Sequence, residues 1–203
     1  MDQDYRAFVF ALHPAYGMVL LHCSRKKRKP PHFQCPGGHV DQADFVRASG
    51  LLGQNLVSPI PPELLLNLAG KIGAARELNE ETGIDAREDL DRLEPVRLRP
   101  SDNGNNEMDN ELKGRLFFRL TLVDSDFFVS GGNYTAMNGV PPDLKLRLSH
   151  EHQGFIFEPD PRDAPRQLLL HSGGKVSKAL EMALQNDENL RNIAAAKNSQ
   201  RDR

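Results

Sequence analysis

The run Arg76-Glu77-Leu78-Asn79-Glu80-Glu81-Thr82-Gly83-Ile84 constrains this chain more than any other segment. Glu77, Glu80 and Glu81 stand at i, i+3 and i+4, so a helix presents all three carboxylates on one face. Like charges at this spacing repel, by roughly a few tenths of a kcal/mol per pair in an isolated helix. A hard divalent cation would offset that repulsion, and oxygen-only ligands suit Mg²⁺, Mn²⁺ or Ca²⁺. Mg²⁺ usually takes one or two carboxylates and shares the rest of its shell with water and substrate phosphates. The plainer reading is a solvated acidic face. Three details argue against it. Gly73 and Gly70 lie back along the same face and offer no side chain, which would leave room for a close-approaching group. Arg76 stands beside the cluster with a planar fork suited to carboxylate or phosphate. Gly83 falls where a left-handed cap would end the helix.

Arg-Glu-Leu-x-Glu-Glu-x-Gly-Ile resembles the second half of the Nudix box of the Nudix hydrolases, and Pro36-Gly37-Gly38-His39-Val40-Asp41 is similar to the glycine segment that opens that box. The family pattern is Gly-x5-Glu-x7-Arg-Glu-hydrophobic-x-Glu-Glu-x-Gly-hydrophobic. Here Asp44 stands where the upstream Glu belongs, and Arg76 follows it by 32 residues rather than eight, an excess of 24 inside the box. The resemblance implies an α/β fold, a Nudix-type α/β/α sandwich around a central mixed sheet. It also implies cation-binding helix glutamates, with Arg76 orienting one of them.

The 203 residues suit one domain with a proper core. We expect a single domain over 1–190, with the insertion at about 45–68, a polar tail over 191–203, and fraying from Gln185 onward. The formal net charge of −2 gives no global pull toward nucleic acid or membrane. Two cysteines, Cys23 and Cys35, exclude a disulfide scaffold and read as buried strand thiols. No apolar run approaches the ~18 residues of a membrane span, and the N-terminus lacks a basic leader. A soluble cytoplasmic protein is the default expectation.

Strands are expected over 6–12 and 18–22, joined by the turn His13-Pro14-Ala15-Tyr16-Gly17. The basic tract Arg25-Lys26-Lys27-Arg28-Lys29 before Pro30-Pro31 reads as an exposed loop, either simply solvated or a phosphate clamp. A short strand over 32–35 feeds Gly37-Gly38, a tight turn that would aim backbone N–H groups at an anion. In the insertion Val46, Leu51, Leu52, Leu56, Val57 and Ile60 need cover. One helix can run from Pro62 to Thr82, with Leu64, Leu65, Leu66 and Leu68 packing an added flap. That flap reads as plain elaboration, a substrate lid or a homodimer contact. Further strands are expected over 95–99, 114–123, 144–148 and 155–157, loops over 101–111 and 131–142, and an amphipathic helix over 175–184 after Ser172-Gly173-Gly174.

Phosphoanhydride cleavage needs neutralised phosphate oxygens, a deprotonated water and a stabilised leaving group. The expected metal ligands are Glu77, Glu80 and Glu81, with Glu77 as a third ligand or as base and Arg76 as the orienting residue. Asp44 is a water-mediated candidate. The resemblance implies a further base from a loop outside the box. Glu151, in Ser149-His150-Glu151-His152-Gln153, fits that role, since this segment resembles a Glu-His motif of dinucleoside-polyphosphate hydrolases. Glu107, Asp109 and Glu111 are weaker choices. Gly37, Gly38, His39, Arg25, Lys27 and His152 are the expected substrate contacts. The leading function is a hydrolase using Mg²⁺ or Mn²⁺ to cut a pyrophosphate linkage in a nucleoside diphosphate derivative, with dinucleoside polyphosphates favoured. Its partner is then a small nucleotide, with nucleic acid entering only as capped RNA. The competing function is a Nudix-like module that binds nucleotide or RNA without turnover.

Overall fold

The computed structural model describes residues 4–23, 30–53, 59–100, 109–128, 131–139, 141 and 143–201, with side chains as far as residue 196. Strands β1 (Arg6–His13) and β2 (Gly17–Cys23) form the expected antiparallel hairpin, with Leu12 opposite Met18 and His13 opposite Gly17. Beyond these pairs the strands splay, and the run from His32 to His39 fills the fork. Its first part, β3 (His32–Gln34), bonds to β2; its second, β4 (Gly37–His39), pairs with β1, Gly38 opposite Ala7. The glycine pair expected as a tight turn is therefore strand.

On its other side β1 lies parallel to the central strand β6 (Arg115–Thr121), in register from Arg6↔Arg115 to Leu12↔Thr121. The two-residue β5 (Glu94–Pro95) edges β6, and β9 (His152–Glu158) lies antiparallel along β2. Val96 and Leu98 are buried outside any strand, so the strand expected over 95–99 is mostly an irregular core segment. Short β7 (Tyr134–Thr135) and β8 (Lys145–Leu146) pair apart from the main sheet.

Alternation along β1 divides the core into two layers. Ala7, Val9 and Ala11 pack under α2 (Pro62–Thr82), beside its Ala74, Ala75 and Leu78. Phe8, Phe10 and Leu12 face Val176, Ala179, Leu180 and Ala183 of α4 (Lys175–Asn186), after the single turn α3 (Ala164–Gln167). Phe117 stacks on Phe8 and Phe10 with ring centroids 5.7 and 5.6 Å apart. Each such buried ring contributes about 1.5–3 kcal/mol. Helices on both faces of a mixed sheet make the expected α/β/α arrangement.

Helix α1 (Gln42–Gly53) fills the start of the insertion and packs on α2, with Ala48 and Phe45 against Ala69, Ile72, Leu65 and Leu68. Of the apolar residues expected to be covered, Val46 and Leu51 are exposed, while Leu56 and Val57 lie outside the described residues, as does the 101–108 part of the expected loop. The tail expected to fray from Gln185 is instead α5 (Glu188–Arg201). It is anchored by buried Leu190 and by Asp187, which accepts from Leu190 N at 3.0 Å and from Arg119 Nη1 at 2.8 Å. Cys23 and Cys35 are buried free thiols, as expected. No helix among the described residues is long and apolar enough to cross a membrane.

Candidate active site

The fork between β1 and β2 opens into a cleft of about 750 Å³ lined by Glu77, Glu80 and Glu81 of α2, by Gly37, Gly38 and His39 of β4, and by the Ser149–Glu151 loop. Helix α2 is aimed here by its C-terminal end. Gly83 takes the left-handed cap (φ 78°) and donates its N–H to Asn79 O at 2.8 Å. A Cβ on Gly83 would stand 2.8 Å from the Phe128 ring, so both backbone and packing demand glycine. The next orphan carbonyls accept from the 147–149 loop, Thr82 O from Arg147 N at 3.0 Å and Glu81 O from Ser149 N at 3.2 Å. These bonds carry Glu151 to the cleft wall beside the helix glutamates.

The three glutamates occupy three environments. Glu80 is outermost, its side chain 57% exposed. Glu81 points down into the fork, where Oε2 accepts from Gly37 N at 2.8 Å and Oε1 from Gln34 Nε2 at 3.4 Å. Glu77 lies flat on Gly38: a Cβ there would fall 2.4–2.6 Å from its carboxyl atoms. Burial pushes the Glu77 carboxyl above its ordinary value; Arg76 pulls the other way, and Glu80 and Asp41 add to the rise.

Arg76 ties the cluster together. Its guanidinium donates to Glu77 Oε1 at 3.0 Å, Glu80 Oε1 at 3.5 Å, His39 O at 2.8 Å and Asp44 Oδ2 at 3.1 Å, and lies 3.3 Å from Asp41. Burial works against the Arg76 charge, but the bonds to Asp44 and Glu77 prevail and hold its pKa above the usual arginine value. Asp44 is buried and also accepts from Asp41 N at 2.9 Å, the backward half of a capping box at the start of α1.

Several expectations change in detail. Gly70 and Gly73 do not open the carboxylate face. A Cβ on Gly70 would meet Leu116 at 2.5 Å and one on Gly73 would meet Asp44 at 3.0 Å, so they seat α2 on β6 and α1. The Gly37 N–H serves Glu81 rather than facing an open anion site. His152 is enclosed, its Nε2 2.6 Å from Gln34 Nε2 and 3.6 Å from Glu81 Oε1, its Nδ1 3.0 Å from Ser149 Oγ. It therefore backs Glu81 and does not reach the cleft; His150 lines the cleft instead. Asp44 is engaged with Arg76 and the α1 start. Arg25, Lys27 and Glu107 lie outside the described residues. Asp109 and Glu111 are not among the residues lining the cleft.

Three participants were missed. Gln34 had a signal, since a polar side chain inside a buried strand needs a partner. Arg6 and His171, which also line the cleft, had none at short range.

Among the described residues no three His, Cys, Asp or Glu side chains stand together as a ready metal cage. The donor chemistry nevertheless suits a hard cation that needs only one or two carboxylates: all-oxygen, and with more carboxylates than the single Arg76 neutralises.

No protein-family model matches the chain, and no curated protein matches it. Among solved structures it is similar to an Ap4A hydrolase from C. elegans, crystallised as a binary complex, at 17% identity over 89% of this chain and 98% of that one, with a TM-score of 0.43. It is also similar to a MutT protein from Methanosarcina mazei Go1, at 15% identity over 93% of this chain and 99% of that one, with a TM-score of 0.39.

Proposed function

We propose that this chain is a metal-dependent hydrolase of a pyrophosphate linkage in a nucleoside diphosphate derivative. The observation that carries the reading is the helix face itself. Glu77, Glu80 and Glu81 converge on one cleft, Glu77 and Glu80 organised by the Arg76 guanidinium and Glu81 by Gly37 N and Gln34. A cleft of this size matches small-molecule sites of roughly 300–1,000 Å³.

A bound Mg²⁺ or Mn²⁺, held by Glu80 and Glu81 with Glu77 as either a third ligand or the base, would neutralise phosphate oxygens and acidify a bound water. The chain's own residues do the rest. Gly37 N and Gln34 fix the direction of the Glu81 carboxylate. Gly38 and Arg76 fix Glu77, whose raised proton affinity suits a base. Glu151 is the second base candidate, brought to the wall by the loop bonds to Glu81 O and Thr82 O. Dinucleoside polyphosphates remain the favoured substrates, supported by the Glu151-bearing loop on the cleft wall. A module that only binds nucleotide is the second reading, and the 24-residue insertion favours it.

Incubation with a nucleotide panel and Mg²⁺ or Mn²⁺ in ¹⁸O-labelled water decides between them. A hydrolase releases labelled product and loses turnover by at least about a hundredfold in Glu80→Gln or Glu81→Gln. A sensor binds nucleotide in EDTA and releases nothing. Turnover that survives both substitutions refutes the metal assignment.

A further inference from the structure

The cleft has a second end, chemically opposite to the carboxylate helix. Arg6 is the register partner of His39 on β4 and of Arg115 on β6, so three basic residues form one row across the sheet. Alternation puts the row on the Phe8 face, away from α2. Arg6 Nη2 is bonded to His39 Nε2 at 2.8 Å, and Arg115 Nε donates to Ser172 Oγ at 3.4 Å. Arg6, His39, His171 and Ser172 all line the cleft, while Arg115 is not among the lining residues and joins them through Ser172. Ser172 holds a left-handed backbone (φ 50°) that a residue with a side chain rarely adopts, and it leads into the N-terminal end of α4, which no side chain caps.

The row is short of negative charge. Among the described residues the one acidic side chain in contact with it is that of Asp4, 3.7 Å from Arg6 Nε and 3.4 Å from His39 Nε2, and 61% exposed. Arg115 has no carboxylate partner among the described residues. The enclosed Arg6 Nε makes no hydrogen bond there, although a buried donor normally finds one. His39 joins the two ends, its carbonyl held by Arg76 and its ring by Arg6.

We infer that Arg6, His39 and Arg115 form an anion subsite for the end of the substrate remote from the cleaved linkage. Resting on the hydrolase reading, this makes the preferred substrate class one with three or more linked phosphates, over diphosphates whose far group is uncharged. Asp4 holds the place of that anion until substrate displaces it.

The direct probe is inorganic tripolyphosphate, titrated calorimetrically into the full chain in EDTA. Wild type should bind one equivalent. Arg6→Gln and Arg115→Gln should each weaken binding about tenfold, and Asp4→Asn, at an exposed position, should tighten it severalfold. Lys178→Gln removes the same charge from an exposed position on α4 and should bind as wild type does. In turnover, Arg6→Gln should lower the ratio of kcat/KM for a triphosphate over a neutral-ended diphosphate by about tenfold. Binding indifferent to Arg6, Arg115 and Asp4, or equally weakened in Lys178→Gln, overturns the subsite. If wild type turns over nothing, the hydrolase reading fails while the titration still decides the subsite.

Discussion

Gly38→Ala should separate the proposed chemistry from the fold. A Cβ on Gly38 would lie 2.4 Å from Glu77 Cδ and 2.5–2.6 Å from its oxygens, well inside contact distance. These atoms end a flexible side chain, so the backbone can stay and the carboxylate must swing away. Glu77 then loses its 3.0 Å bond from Arg76 Nη1. A hydrogen bond between charged partners contributes about 1.5–3 kcal/mol. The Glu77 side chain is already 18% exposed, so renewed hydration returns part of it. Replacing glycine where the backbone permits also stabilises by about 0.4–1 kcal/mol through the unfolded chain. Burial already disfavours the charged Glu77 carboxylate where it lies, so its release to water offsets the lost bond and the net change in stability stays within about 1 kcal/mol, roughly 2–4 °C in Tm at this length. A displacement of about 1 Å in a reacting group costs on the order of a hundredfold in rate. Differential scanning fluorimetry and phosphate release with Mg²⁺ measure the two effects. Gly37→Ala is the contrast. Gly37 has φ 145°, and its Cβ would strike the Ala7 carbonyl oxygen at 2.2 Å, so the β1–β4 pairing must break, at more than about 3 kcal/mol. If Gly38→Ala keeps turnover within about threefold of wild type, Glu77 does not act where we place it. If it unfolds as readily as Gly37→Ala, the cause is the strand and not the carboxylate.

The remaining predictions concern the same network. The folded state binds the Glu77 proton more tightly than the unfolded chain, because burial disfavours the charge. Its contribution to stability is therefore full below the ordinary carboxyl value and lost as pH rises through the raised one. Glu77→Gln should thus melt higher than wild type at pH 8 and level with it near pH 4, while turnover is lost; an unchanged or lower Tm at pH 8 refutes the assignment. Asp44→Ala strips a buried acceptor from Arg76 and from Asp41 N, and should cost about 3–5 kcal/mol in urea denaturation, with Asp44→Asn intermediate. Gly83→Ala combines a left-handed backbone with a 2.8 Å contact to Phe128 and should cost about 2–4 kcal/mol by the same assay; a cost under about 1 kcal/mol would show that the helix end does not depend on this cap.

Elements written in short-range pattern were legible. The hairpin over 6–23, the helix from Pro62 to Thr82, its Gly83 cap and the strand around Phe117 follow from periodicity and capping chemistry that a few neighbouring residues determine. Helix α5 was not, because its polar sequence is held by Asp187 and Arg119, partners 68 residues apart. Gly70 and Gly73 were misread for a related reason. Sequence shows that a helix position lacks a side chain, but only the fold shows whether the space belongs to a ligand, to Leu116 or to Asp44. His152 failed in the same way: two residues from His150, it faces the opposite side of the loop and is enclosed behind Glu81.

The insertion is the sharpest case, because it separates along the chain two segments that meet in space. Asp44 and Arg76 stand 32 residues apart along the chain and 3.1 Å apart in the fold. What restores the spacing is α1 lying against α2, a contact that Gly73 permits by leaving room for the Asp44 carboxylate. Arg76 then gathers groups from both segments, His39 O, Asp41 and Asp44 from the first and Glu77 and Glu80 from the second. Both ends of the insertion are fixed by that guanidinium, so the residues between can change in length without moving the carboxylates. Arg76→Lys, one compact charge in place of a planar fork, should lose this joining even with the charge retained. It should approach the Asp44→Ala loss of stability in urea, and matching wild-type stability would show that the halves are held together by α1–α2 packing alone.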